Sequence, residues 1–154
     1  MKIIKIFFII NFFLLSACGF KPINKTYNYD FKIISTEFTG NRSINKNLIR
    51  NFLKFEETKN ASRFFKVEIN SSLIKNVTSK DSAGKEAGYS IEINVIAKIY
   101  ENDVNIATNT FYKKTNYNNL NSQFELKQYE NVLTKNLTDQ IILDLNNYIG
   151  SIKW

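Results

Sequence analysis

Between Tyr89 and Ile99 the apolar residues Tyr89, Ile91, Ile93, Val95, Ala97 and Ile99 alternate with Ser90, Glu92, Asn94, Ile96 and Lys98. Successive side chains of a strand point to opposite faces, so this run predicts a strand with one apolar face. A helix would scatter the same residues around its circumference. Glu101-Asn102-Asp103 then signals a tight turn, and Val104 to Lys114 reads as a returning strand. Upstream, Phe65, Val67, Ile69, Ser71, Leu73 and Val77 keep to every second position, with Lys75 interrupting them. Lys80 to Gly88 is charged, contains two glycines and reads as a loop. Three consecutive strands predict an antiparallel meander whose apolar face needs a cover.

Two segments have the spacing to supply that cover. Ile44, Leu48, Ile49, Phe52 and Phe55 share one side of a helix that Asn41 or Ser43 can cap. Phe124, Tyr129, Val132, Leu133, Leu137, Ile141, Leu145 and Tyr148 predict a longer stripe. It opens on a Ser122/Glu125 capping-box spacing and ends at Gly150, where a C-terminal cap would sit. Asn116 to Asn121 reads as the polar break before it, and Phe31 to Phe38 as a first strand. The expected architecture is α+β: a two-layer sandwich with a four-stranded, mainly antiparallel sheet and two helices on one face. Residues 30–150 form its single domain. The opposite sheet face, with Glu92, Asn94, Ile96, Lys98 and Tyr100, suits either solvent or a partner.

The N-terminus is a targeting segment. Lys2 and Lys5 precede an apolar run from Ile6 to Leu15, broken only by Asn11, and Leu15-Ser16-Ala17-Cys18 follows. A positive start, about ten apolar residues and small residues at the cut describe a secretory leader, too short for a membrane-spanning helix. Leu-Ser-Ala-Cys resembles the lipobox of bacterial lipoproteins. Residues 1–17 are therefore expected to be removed, Cys18 to carry lipid, and residues 18–29 to form a tether. Several acyl chains anchor a protein to a membrane stably, where one holds only marginally.

The sequence carries little sign of catalysis or of a cofactor. Histidine is absent, which removes the usual general base near neutral pH and the commonest metal ligand. The single cysteine excludes an internal disulfide. There is no Gly-rich phosphate loop, nucleophile elbow or Cys/His cluster. The expectation is a non-enzyme without metal or cofactor. Net charge is +7, and loss of Lys2 and Lys5 with the leader leaves 19 basic against 14 acidic residues. The excess reads either as the codon bias of an Asn-, Ile- and Lys-rich chain or as a surface for anions. An exported chain does not meet nucleic acid. The polyanions it meets are lipids and lipopolysaccharide, whose phosphates Lys and Arg bind through charge-assisted hydrogen bonds.

Cys18-Gly19-Phe20-Lys21-Pro22 resembles the start of mature proteins of the LPS-assembly lipoprotein family LptE, particularly the alphaproteobacterial type. Asn116-Tyr117-Asn118, Ser122-x-Phe124, Glu130, Leu137, Ile141 and Leu145 resemble the turn and C-terminal helix of the same family. The resemblance implies a four-stranded sheet backed by two helices. It implies an outer-membrane lipoprotein that plugs the LptD β-barrel, assists its assembly and contacts lipopolysaccharide. Gly19 after the cysteine, where aspartate would retain the protein at the inner membrane, agrees with that address. Of the family's functional residues only Cys18 carries over, for lipid attachment. Lys98, Lys113 and Lys114, on strands near the uncovered face, are the candidates for contacts to phosphate or barrel wall, and one of Lys113 and Lys114 must point to that face. An accessory lipoprotein of another envelope transport or barrel-assembly complex would share the anchor and size.

Overall fold

A computed structural model describes residues 31–58 and 61–152. Cys18, the leader and the tether lie outside the described residues. The elements run β1 (Phe31–Gly40), α1 (Arg42–Glu56), β2 (Arg63–Lys80), β3 (Glu86–Glu101), β4 (Val104–Asn118) and α2 (Gln123–Ser151). They form an α+β sandwich with an open four-stranded sheet in the order β1-β2-β3-β4. The three later strands are the expected meander, and β1 joins β2 in parallel. The parallel pair follows from α1, which lies between the two strands and supplies the crossover that parallel neighbours require.

The β3 alternation holds along its length. Ile91, Ile93, Val95, Ala97 and Ile99 are all buried, and Val67 and Ile69 stand beside Ile99 and Ala97 on the same face. Phe31, Phe55 and Phe65 close one end of the core, with Phe31 stacked on Phe55 at 5.7 Å between ring centroids and tilted against Phe65 at 5.5 Å. Each fully buried Ile, Leu or Phe contributes about 1.5–3 kcal/mol relative to exposure.

Asn41 caps α1, its Oδ1 accepting from the backbone N–H of Ser43 and Ile44 at 3.0 and 3.2 Å. Ile44, Leu48, Phe52 and Phe55 are buried as expected, but Ile49 is exposed, because 100° of helical rotation separates it from Leu48. Asn45 is a polar residue inside the core. Its Nδ2 donates to the Thr39 carbonyl, and its Oδ1 accepts from the Ser71 hydroxyl at 2.6 Å, so the turn, α1 and β2 are tied together.

Several expected boundaries move. Only residues 81–85 are loop, because β3 begins at Glu86. The hairpin turn at Asn102 and Asp103 has φ of 49° and 61°, the left-handed conformation favoured by Asn and Asp in two-residue hairpins. Asn116–Asn118 is not a break but the end of β4, since Tyr117 pairs with Tyr89 and is buried beneath α2. Gly150 is not a cap either. The helix runs through it to Ser151, because Ile149 is buried and holds the last turn on the core. The expected α2 stripe is right only in its C-terminal half. Phe124, Tyr129 and Val132 are exposed, and the buried row is Leu126, Leu137, Ile141, Leu145 and Ile149. Glu130 lies on that row, so a charge hides its periodicity.

Candidate functional site

The face of the sheet opposite the helices is uncovered, and strand register decides what it displays. Glu68 on β2 stands opposite Lys98 on β3, which stands opposite Thr108 on β4; three rows further along the same face, Ile74, Glu92 and Lys114 stand side by side. Lys98 and Lys114 therefore share this face. Lys113 does not: it pairs with Ile93 on the helix side and forms a 2.7 Å ion pair with Asp144 of α2.

Two of the open-face lysines, Lys66 and Lys114, are matched by carboxylates, and Lys98 is exposed without an ion pair among the described residues. Lys114 pairs with Glu92 at 2.7 Å and Lys66 with Glu68 at 3.3 Å. The Tyr100 hydroxyl donates to Glu68 at 2.9 Å. This bond is the main reason the Glu68 carboxyl lies below the ordinary range, with Lys66 and Lys98 adding to it. Lys114 lowers Glu92 in the same way and is itself raised by it. A hollow of about 160 Å³ is lined by Glu37, Thr39, Glu68, Asn70, Ile96 and Lys98. Such a surface offers alternating donors and acceptors to a polar partner. It is not a concentrated cationic patch, because carboxylates stand beside its lysines. Glu92, Lys98 and Tyr100 stand on this face as the β3 alternation predicts, whereas Glu68 and the pairings across the strands escaped the sequence reading, since they depend on strand register.

A second polar cluster lies under the N-terminal half of α2. Lys75, which interrupts the β2 alternation, points to the helix side, pairs with Glu130 and places its Nζ 4.3 Å from the centre of the Tyr89 ring. The Tyr117 hydroxyl donates to Glu130 at 2.9 Å, and the Tyr89 and Tyr117 rings stack at 5.5 Å. Beside this cluster a cleft of about 190 Å³ separates the start of α1 from α2, with Leu73 and Ile91 in its lining. Burial pushes the Glu130 carboxyl up, but the bonds from Lys75 and Tyr117 outweigh it and the net shift is downward.

Glu68, Glu92, Glu101 and Glu130 all titrate below the ordinary 4.5 in the folded protein, Glu101 through its bond to Arg63. A depressed carboxylate contributes stability that is complete above its unfolded pKa and is lost as pH falls through the folded one. With no histidine to titrate, the melting temperature is expected to stay level from about pH 5.5 to 8 and to fall below about pH 4.5. Glu130→Gln should melt lower at pH 7 and show a shallower acid decline. Thermal melts across this range check both; a level profile down to about pH 3 would contradict the ion-pair geometry.

Among the described residues, no group of three or more His, Cys, Asp or Glu side chains could hold a metal ion. Among the same residues, no helix is long and apolar enough to cross a membrane. No protein-family model matches the chain, and no curated protein matches it. Solved structures do resemble it in fold. Rare lipoprotein B from Shewanella oneidensis superposes with a TM-score of 0.51 at 11% identity, over 77% of this chain and 98% of that one. An uncharacterized lipoprotein B from Nitrosomonas europaea gives 0.53 at 12% identity, over 79% and 88%. At these identities the likeness is one of fold.

Proposed function

We propose that this chain is a lipid-anchored, non-catalytic subunit of the lipopolysaccharide export machinery of the outer membrane. In this reading it faces the periplasm, seats in an LptD-type β-barrel, assists its assembly and contacts lipopolysaccharide. One conjunction carries the proposal: a lipobox followed by Gly19-Phe20-Lys21-Pro22 stands ahead of a domain with the fold of two lipoproteins. The open face supports it. The interior of an outer-membrane barrel is polar, and a face of Lys/Glu pairs, tyrosines and amides can lie against such a wall, with Lys98 left to meet a group on it. On this reading Lys98 and Lys114 contact the wall or a lipopolysaccharide phosphate, while Lys113 stays with Asp144.

The test is purification of the tagged, lipidated protein from gently solubilised membranes. The expected result is a stable complex with one large barrel protein that survives gel filtration. Recovery as a free monomer would overturn the proposal. Recovery with a different transport or barrel-assembly complex would replace it with the accessory-lipoprotein reading.

A further inference from the structure

We propose that the solvent face of α1 is a docking surface for an anionic phospholipid bilayer, orienting the domain on the membrane that holds its anchor. The proposal rests on the lipid anchor and is independent of which barrel is the partner.

Arg42, Lys46 and Arg50 recur every fourth residue on the exposed side of α1, and Lys54 continues the spacing in the sequence. At 100° per residue, the first three span about 80° of the helix. Ile49 and Leu53 fall within about 20° of Arg42 on the same projection, and they are 43% and 49% exposed. Basic groups flanking exposed aliphatic ones, above a buried stripe on the other side, describe a helix lying at a bilayer surface. The apolar groups enter the headgroup layer, and the cations stay at the phosphates.

Clustering separates these residues from the other lysines and arginines. Lys32, Lys80, Lys85, Lys98 and Lys127 also lack an ion pair among the described residues, but they are spread over β1, the β2–β3 hairpin, β3 and α2 rather than set along one helix face. Arg63, Lys66, Lys75, Lys113, Lys114 and Lys135 are all in ion pairs. Among the described residues, Arg42, Lys46 and Arg50 have no ion pair; Arg50 bonds only to the Asn47 side chain and the Lys46 carbonyl. Their arrangement also works against the helix. Like charges four residues apart repel, and a cation in the first turn opposes the helix dipole, with no acid there to offset it. Among the described residues these charges have no carboxylate complement, and in the proposal that complement lies in the bilayer.

Chain geometry brings that complement within reach. Phe31 stacks on Phe55, so the chain enters the domain beside the last turn of α1. The 13 residues from Cys18 to Asp30 can span at most about 45 Å. A lipid on Cys18 therefore keeps α1, about 22 Å long, close to the membrane, and weak surface binding becomes an intramolecular contact.

The experiment uses the mature chain from residue 18 with Cys18→Ser, so that binding without the anchor can be read by vesicle sedimentation. Vesicles of phosphatidylcholine with about 30% phosphatidylglycerol are expected to capture it at low salt, and pure phosphatidylcholine vesicles are not. R42Q/K46Q/R50Q should bind at least about tenfold more weakly while melting at the same temperature or higher, since it relieves repulsion. K80Q/K85Q/K127Q, with the same loss of net charge elsewhere on the surface, should bind like the parent. Failure of the parent to bind, equal binding to neutral vesicles, full binding by the α1 variant, or equal loss in the control variant would each overturn the proposal. Loss of barrel co-purification in the α1 variant, without vesicle binding by the parent, would assign the face to a protein instead.

Discussion

Gly40→Ala is expected to destabilise the domain by about 4 kcal/mol or more, a large part of the total stability of a domain this size. Gly40 ends β1 with φ of +91°, and an added Cβ would lie 1.9 Å from the Ser71 carbonyl oxygen. That oxygen cannot retreat, because it accepts from the Asn41 N–H at 2.9 Å and belongs to the backbone of β2. The clash would pull apart three features at once: the end of the parallel pair, the Asn41 cap of α1 and the bonds joining Asn45 to Thr39 and Ser71. Gly84→Ala is the matched control. Gly84 also has positive φ, at +78°, but an added Cβ there meets nothing within 4 Å. Backbone strain alone should cost it about 1 kcal/mol. Urea unfolding of both variants separates steric conflict from strain, and costs within about 1 kcal/mol of each other would show that Ser71 is not the obstacle.

Cys18→Ala is expected to abolish lipid attachment altogether, with no palmitate label incorporated at the N-terminus. The thiol is the only group in the segment that can form the thioether, and the chain has no second cysteine to replace it. Expressed behind an ordinary secretory leader cut before residue 18, the variant should lose membrane partition at least about a hundredfold after a high-salt wash. The lipidated parent should stay bound through the same wash, because acyl-chain burial is insensitive to salt and binding by α1 is not. Fractionation and labelling of the two chains give the answer. Unchanged label and mobility in the variant would remove the lipobox reading, and with it the leash on which α1 depends.

Glu130 shows where periodicity stopped being informative. The residue occupies the buried row of α2, yet it is charged, so the sequence stripe shifts toward Phe124, Tyr129 and Val132, which the fold leaves exposed. Its tolerance there comes from Lys75 on β2 and Tyr117 on β4, partners 55 and 13 residues away. Lys75 had looked like a flaw in the β2 alternation for the same reason. The two irregularities answer each other across the layers, and neither can be interpreted until the strands are in register.

The unpaired cations of α1 are a related case. Their four-residue spacing stands in the sequence, but the distinction between a Lys-rich composition and a binding surface required knowing which lysines find carboxylates and which of the others share one exposed face. Lys66 and Lys114 do, on the open face, and Lys113 does under α2. Arg42, Lys46 and Arg50 do not, among the described residues.

Local chemistry determined the meander, the caps at Asn41 and Ser122 and the amphipathic α1, because each is set within a few neighbouring residues, and the expected lipidation signal is a pattern of the same local kind. The α+β class followed from them, since an apolar sheet face must be covered. Tertiary structure decided the rest: that β1 lies parallel to β2, that Lys98 and Lys114 share a face from which Lys113 is excluded, and that a half-buried Glu130 finds its partners. Each of these turns on strand register and on charges brought together from distant parts of the chain, where a shift of one residue turns every side chain to the opposite face.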